Sequence, residues 1–213
     1  MEIYWMGHGC FRLRGRDATV LTDPCPPSTG YKIGKISNVD VVTISRDHPE
    51  SSHRAAVAGD ARFLDGPGEY EIAGVLITAV DTDRADRDDG HSRNLAFVID
   101  IDDIKVCHLG DIQRVPSGDE VEELAGIDVL LVPVGGGHVM GAAKAAEMVS
   151  LLEPKIVIPM LYKTDVSKGD FESVDHFIKE MGVEAKAPEQ RLNLSKSGVP
   201  DDMTLMLLSY RGA

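Results

Sequence analysis

A chain of 213 residues with 35 acidic against 22 basic side chains, a formal charge of −13 and a pI near 4.9 is a poor partner for polyanions. Nucleic acids and anionic membrane surfaces are held by clustered Lys and Arg, so neither is an expected partner. With 43% hydrophobic and 27% charged residues, and no apolar run near the ~20 residues that span a bilayer, the chain reads as one soluble globular domain over 1–213.

The first half is rich in expected strands. Residues 2–6, 10–14 and 18–22 are short apolar or alternating runs separated by Gly-containing turns, followed by a rigid turn at TDPCPP, 22–27. Further runs lie at 41–44, 61–64, 69–72, 75–80 and 95–101, with turns at 65–68 and 73–74. The charged stretch 81–91 has no apolar periodicity and reads as a solvated surface loop. From 104 the pattern changes to strand, helix, strand. Runs at 104–109, 127–134 and 155–161 are nearly continuous in apolar residues, as expected of strands buried on both faces. Helices are expected over 115–126, with a Ser cap, over 142–152, and over about 171–181, closed by Gly182. A last strand is expected over 203–210, and the whole pattern implies a layered α/β arrangement.

Polar clusters recur where these strands end: His8, then 45–53, 108–111, 135–138 and 161–163. Binding sites gather at one rim of such sheets. The N-terminus lacks a basic segment followed by an apolar core, so no secretion signal is expected. Cys10, Cys25 and Cys107 form no C-x-x-C pair, so neither a disulfide framework nor a zinc ribbon is indicated and a reducing cytoplasm fits. The Gly-rich run 135–137 lacks the G-K-[ST] of a phosphate loop.

Seven stretches taken together carry a resemblance: WMGHGCF at 5–11, LTDP at 21–24, TISRDHP at 43–49, DGPGEY at 65–70, HLGD at 108–111, VPVGG at 132–136 and IPMLYKT at 158–164. In that order they resemble the metallo-β-lactamase superfamily, especially its short lactonase-like branch of zinc-dependent hydrolases. The resemblance implies a four-layer αββα sandwich with two mixed sheets face to face, outer helices and the site at one edge. It also implies a signature H-x-H-x-D-H after the strand at 41–44, with a further His, a bridging Asp and a final His completing two metal positions. Each cation would be held by three ligands, with an open position where a bound water loses its proton near neutral pH and attacks an ester, lactone, amide or phosphodiester.

In this sequence the resemblance sets Arg46 at the first His of the signature, His48 at the second, Glu50 at the Asp and Ser51 at the last His. Asp111 stands at the bridging Asp, Leu161 at the final His, and a residue near Arg84 at the remaining one. His48 and Asp111 with one metal, and Glu50 and Asp111 with the other, give two ligands apiece where three are needed. Arg46 moreover brings a permanent cation into the site. The expectation is therefore no metal. The alternative is a single zinc or manganese held by His48, Glu50, Asp111 and a recruited His53 or His138.

The favoured reading is a metal-poor, non-catalytic ligand-binding or scaffolding protein, with Arg46, His48, Glu50, Asp111, His138 and Lys163 lining the cleft and a small anionic ligand as the suited occupant. A homo-oligomer or a partner subunit is compatible with it. The rival is an active hydrolase of small esters, lactones or phosphodiesters, with His48 and Asp111 as candidate catalytic residues. His8, Asp23 and His108 are expected beneath the site, orienting its residues. Tyr162 shares that bracing role, the three cysteines lie beside ligand positions rather than on them, and His91 and His176 look solvent-exposed.

Overall fold

The computed structural model describes residues 1–82, 93–184 and 186–210. Most of the expected loop at 81–91, with Arg84 and His91, lies outside these described residues. The chain forms strands β1 (Glu2–Gly7), β2 (Cys10–Arg14), β3 (Thr19–Thr22), β4 (Val41–Thr43), β5 (Arg62–Leu64), β6 (Gly68–Ile72), β7 (Val75–Asp81), β8 (Leu95–Ile101) and β9 (Ile104–His108). It continues with α1 (Gly118–Leu124), β10 (Val129–Pro133), α2 (Ala142–Leu152), β11 (Ile156–Met160), α3 (Val174–Met181), β12 (Leu192–Asn193) and β13 (Thr204–Leu205).

Two mixed sheets result, one ordered β12-β1-β2-β3-β4-β5 and the other β13-β11-β10-β9-β8-β7-β6. They pack as an αββα sandwich, as expected. In the first sheet, side-chain alternation splits the apolar residues cleanly. Ile3, Trp5, Phe11, Leu13, Val20 and Val41 join the large core shared with the second sheet. Met6, Cys10, Leu21, Val42 and Ile44 face the other way, onto Tyr31, Ile33, Ile36 and Val57. Period-2 alternation sends successive residues to opposite faces, so both faces of this sheet are covered. On this face of the first sheet the cover includes chain between β3 and β5, with two short 3-10 turns, Pro27–Thr29 and Arg54–Ala56. α2 packs against β10 and α3 on the side of the second sheet. β10 and β11 are buried at every residue and run parallel, which accounts for their unbroken apolar sequence.

Three boundaries move for identifiable reasons. α1 begins at Gly118 because Ser117 and Glu120 form a reciprocal capping box. α3 begins at Val174 because the Ser173 side chain accepts from the Asp175 N–H, leaving Phe171 in the preceding loop. The expected strand 203–210 pairs with β11 at Thr204 and Leu205; beyond it Met206 N–H donates to Val157 O and Ser209 N–H to Glu189 O. β12, which pairs with β1 through Leu192 and Asn193, was not expected, since two residues carry no periodicity.

Candidate functional site

The ends of β1, β3, β4, β9, β10 and β11 meet at one edge of the sandwich, each handing over to a turn with unusual backbone. His8 (φ 55°), Asp23 (φ 37°) and Leu161 (φ 54°) are non-glycine residues in the left-handed region. Single non-glycine residues there are uncommon and cluster at functional sites. Gly110 (φ 64°) precedes Asp111, and a Cβ on it would stand 2.4 Å from Asn94 Oδ1 and 2.6 Å from Ser45 Cβ. Gly135 allows an equally close approach: a Cβ there would come within 1.9 Å of the Leu161 carbonyl oxygen.

Arg46 follows β4 and Asp111 follows β9, so each sheet supplies one partner of a buried ion pair. Arg46 Nη2 lies 3.0 Å from Asp111 Oδ2, and both side chains are 5% exposed. His48 and Glu50 occupy the turn after Arg46 and are about one-third exposed. Glu50 N–H donates to His48 Nδ1 at 3.3 Å, which puts the ring proton of neutral His48 on Nε2. Glu50 Oε2 stands 3.9 Å from both His48 Nδ1 and His8 Nε2. His8 is buried; desolvation, together with the charges of His138, Arg46 and His48, pushes its pKa down to about 3. His138 and His8 both pack on Phe171, with ring centroids 5.0 Å and 5.9 Å away. Arg46, His48, Glu50, Asp111, His138 and His8 thus form one cluster. Lys163 is exposed at the rim, where its N–H donates to Glu172 O.

Beneath the cluster, Asp23 accepts from Ser45 N–H at 2.7 Å and from the Ser45 hydroxyl, which is the bracing role expected of it. Full burial raises its pKa to about 7 despite the two hydrogen bonds. Asn94, which the sequence did not single out, is fully buried: its Oδ1 accepts from Asp111 N–H at 3.0 Å, and its Nδ2 donates to Leu109 O and Thr82 Oγ1. Its one signal was position, a polar residue immediately ahead of the apolar run 95–101.

His108 is also fully buried, between Gly9 O, 2.8 Å from Nε2, and Gly110 N–H, 3.2 Å from Nδ1. Both nitrogens are satisfied in the neutral Nε2–H tautomer. Burial pushes the pKa from 6.5 to about 4, the Gly9 carbonyl opposing it. The unfolded chain therefore takes up a proton that the folded one refuses between pH 6.5 and 4. Stability present above that window is lost as pH falls through it, at ~1.4 kcal/mol per pH unit where the difference is one full proton. His8 acts in the same direction and Asp23 in the opposite one, so the comparison of variant with wild type isolates His108. Urea midpoints of His108→Gln should fall less steeply over that range than those of the wild-type chain; parallel profiles would dismiss the assignment.

The residues do not fit the metal pair that the resemblance implies. Asp111 is engaged by a guanidinium, Leu161 offers no lone pair, and Ser51, though buried, offers a hydroxyl in place of an imidazole. Among the described residues no three His, Cys, Asp or Glu side chains come together as a cation site. His53 caps the turn Arg54–Ala56, with its N–H on Pro24 O. The three cysteines are free and buried, and burial raises their pKa values, Cys25 to about 11, so they stay thiols. A cleft of about 740 Å³ opens beside His138, between Gln113, Gly136, Lys144, Glu172 and His176. His176 is exposed there, as expected, 3.3 Å from Glu172 Oε2. Among the described residues no helix is long and apolar enough to cross a membrane.

Comparison with known proteins agrees with the resemblance. The family model described as a beta-lactamase superfamily domain matches residues 2–161. A UPF0173 protein of Pyrococcus furiosus is 29% identical over 185 residues, 77% of this chain and 84% of that relative. A UPF0173 metal-dependent hydrolase of Pyrococcus horikoshii is 26% identical over 193 residues, 77% of this chain and 85% of the relative. A crystal structure from Thermotoga maritima, described as that of a candidate zinc-dependent hydrolase of the metallo-beta-lactamase superfamily, superposes with a TM-score of 0.82 at 37% identity, covering 99% of both chains.

Proposed function

This chain belongs to the beta-lactamase superfamily, and on that premise we propose that it is a metal-poor, non-catalytic binding or scaffolding protein that uses the rim of the family cleft. The buried Arg46–Asp111 pair carries the reading. A hydrolase of this type needs Asp111 as a carboxylate donor, and here that carboxylate faces a cation the chain cannot release. The groups left at the rim, His48, His138 and exposed Lys163, suit a small anion, which they would hold by hydrogen bonds and charge. Supply of the missing chemistry by a second copy or by a partner subunit is compatible with this reading.

The names of the relatives favour a second reading above this one: a metal-dependent hydrolase of small esters, lactones or phosphodiesters keeping one zinc or manganese ion. Metal analysis of protein purified without chelator separates them. The binding reading expects far less than one ion per chain, no turnover of phosphodiester or lactone substrates with added manganese or zinc, and a thermal shift with inorganic phosphate that His138→Ala removes. Turnover abolished by Asp111→Ala would establish the hydrolase instead. A native mass of one chain with no copurifying partner would remove the scaffolding form.

A further inference from the structure

The backbone around the site is held in conformations that few residues adopt unaided. Leu161 holds φ 54°, a conformation that costs a branched side chain and that nothing in leucine demands. Asp111 is aimed by Asn94 through its own N–H and by the left-handed Gly110 before it. Asp23 locks Ser45, the residue immediately before Arg46. Arg46 then closes the space, with Nη2 3.0 Å from Asp111 and its side chain withdrawn from solvent. A guanidinium is permanently charged and donates in a fixed fork, so it satisfies a buried carboxylate without ever leaving as an ion does.

We infer that Arg46 is the resident cation of this site: its guanidinium takes the electrostatic place of a metal ion on Asp111, and its charge, rather than collapse of the surrounding fold, keeps divalent ions out. The inference shares with the proposed function the metal-poor cleft but requires neither a ligand nor an absence of catalysis. Two consequences follow from the charge. Wild-type stability is indifferent to chelator, and exchanging the guanidinium for an imidazole removes the charge that repels a divalent ion and sets a nitrogen donor beside Asp111.

The test uses the full chain. Wild type, Arg46→His and Arg46→His/Ser51→His are dialysed against zinc or manganese and then assayed for bound metal and for the thermal shift on adding EDTA. Wild type should keep only traces and show no shift. The histidine variants should retain up to about one ion per chain and lose stability to EDTA. A wild-type chain holding a stoichiometric ion, or a folded Arg46→His that binds no more metal than wild type, overturns the inference. If the histidine variants do not fold, Asp111→Asn and Arg46→Met/Asp111→Asn decide it. The double variant should melt above Arg46→Met, since the buried carboxylate that faced the guanidinium is neutralised with it; a double variant that melts no higher sinks the idea. Ligand binding by wild type bears on the proposed function alone.

Discussion

Arg46→Met is expected to lower the unfolding free energy by about 3–5 kcal/mol, the range for removing one partner of a buried ion pair. Methionine preserves most of the side-chain stem, so the loss is not chiefly one of packing. It arises because Asp111, 5% exposed, would keep its charge with no cation 3.0 Å away. His8 holds its proton only below about pH 3, and Asn94 already spends its oxygen on the Asp111 backbone N–H. Chemical denaturation of the two single variants and of Arg46→Met/Asp111→Asn completes a double-mutant cycle. A coupling energy near zero would mean that the pair contributes nothing as a pair.

Asn94→Ala is expected to cost about 3 kcal/mol, because it removes three buried side-chain hydrogen bonds at once and leaves a small cavity. The Asp111 N–H, the Leu109 carbonyl and the Thr82 hydroxyl each lose the fully buried Asn94 side chain as a partner, the hydroxyl keeping the residue-94 carbonyl at 3.3 Å. Asn94→Asp should be nearly as damaging. It keeps the acceptor for Asp111 N–H but turns the donor toward Leu109 O into a further buried carboxyl oxygen. Urea titration measures the loss, and hydrogen exchange at the Asp111 amide should speed by the same free energy if opening is local. An Asn94→Ala chain within 1 kcal/mol of wild type, with the Asp111 amide still protected, would show that the network is ornamental.

Much of this architecture was legible before any coordinates. Strands at 95–101 and 104–109 and the buried runs at 127–134 and 155–161 declared themselves through apolar continuity, and β8, β9, β10 and β11 fall within them. The candidate site was legible to the extent that strand-end polar residues sort to one rim: Arg46, His48, Glu50, Asp111 and His138 did come together. His8 proved to face the same cluster, with Glu50 Oε2 3.9 Å from its Nε2, rather than lying wholly beneath it. Asn94 and Phe171 were invisible because what matters is which atoms each meets: Asn94 reaches Asp111 across 17 residues of sequence, and Phe171 lies between two histidines from distant turns.

Local pattern determined the elements and their order, and it set which side chains the resemblance brings to the strand ends, Arg46, His48, Glu50, Asp111 and Leu161 among them. Tertiary structure alone decided what those side chains meet. Whether Arg46 points to water or to Asp111, whether Asp23 braces Ser45, and which proton His108 carries all depend on distances between residues far apart in the chain. Those distances are set by two sheets packing face to face, and at such separations burial multiplies the strength of every charge and hydrogen bond that water would otherwise have screened.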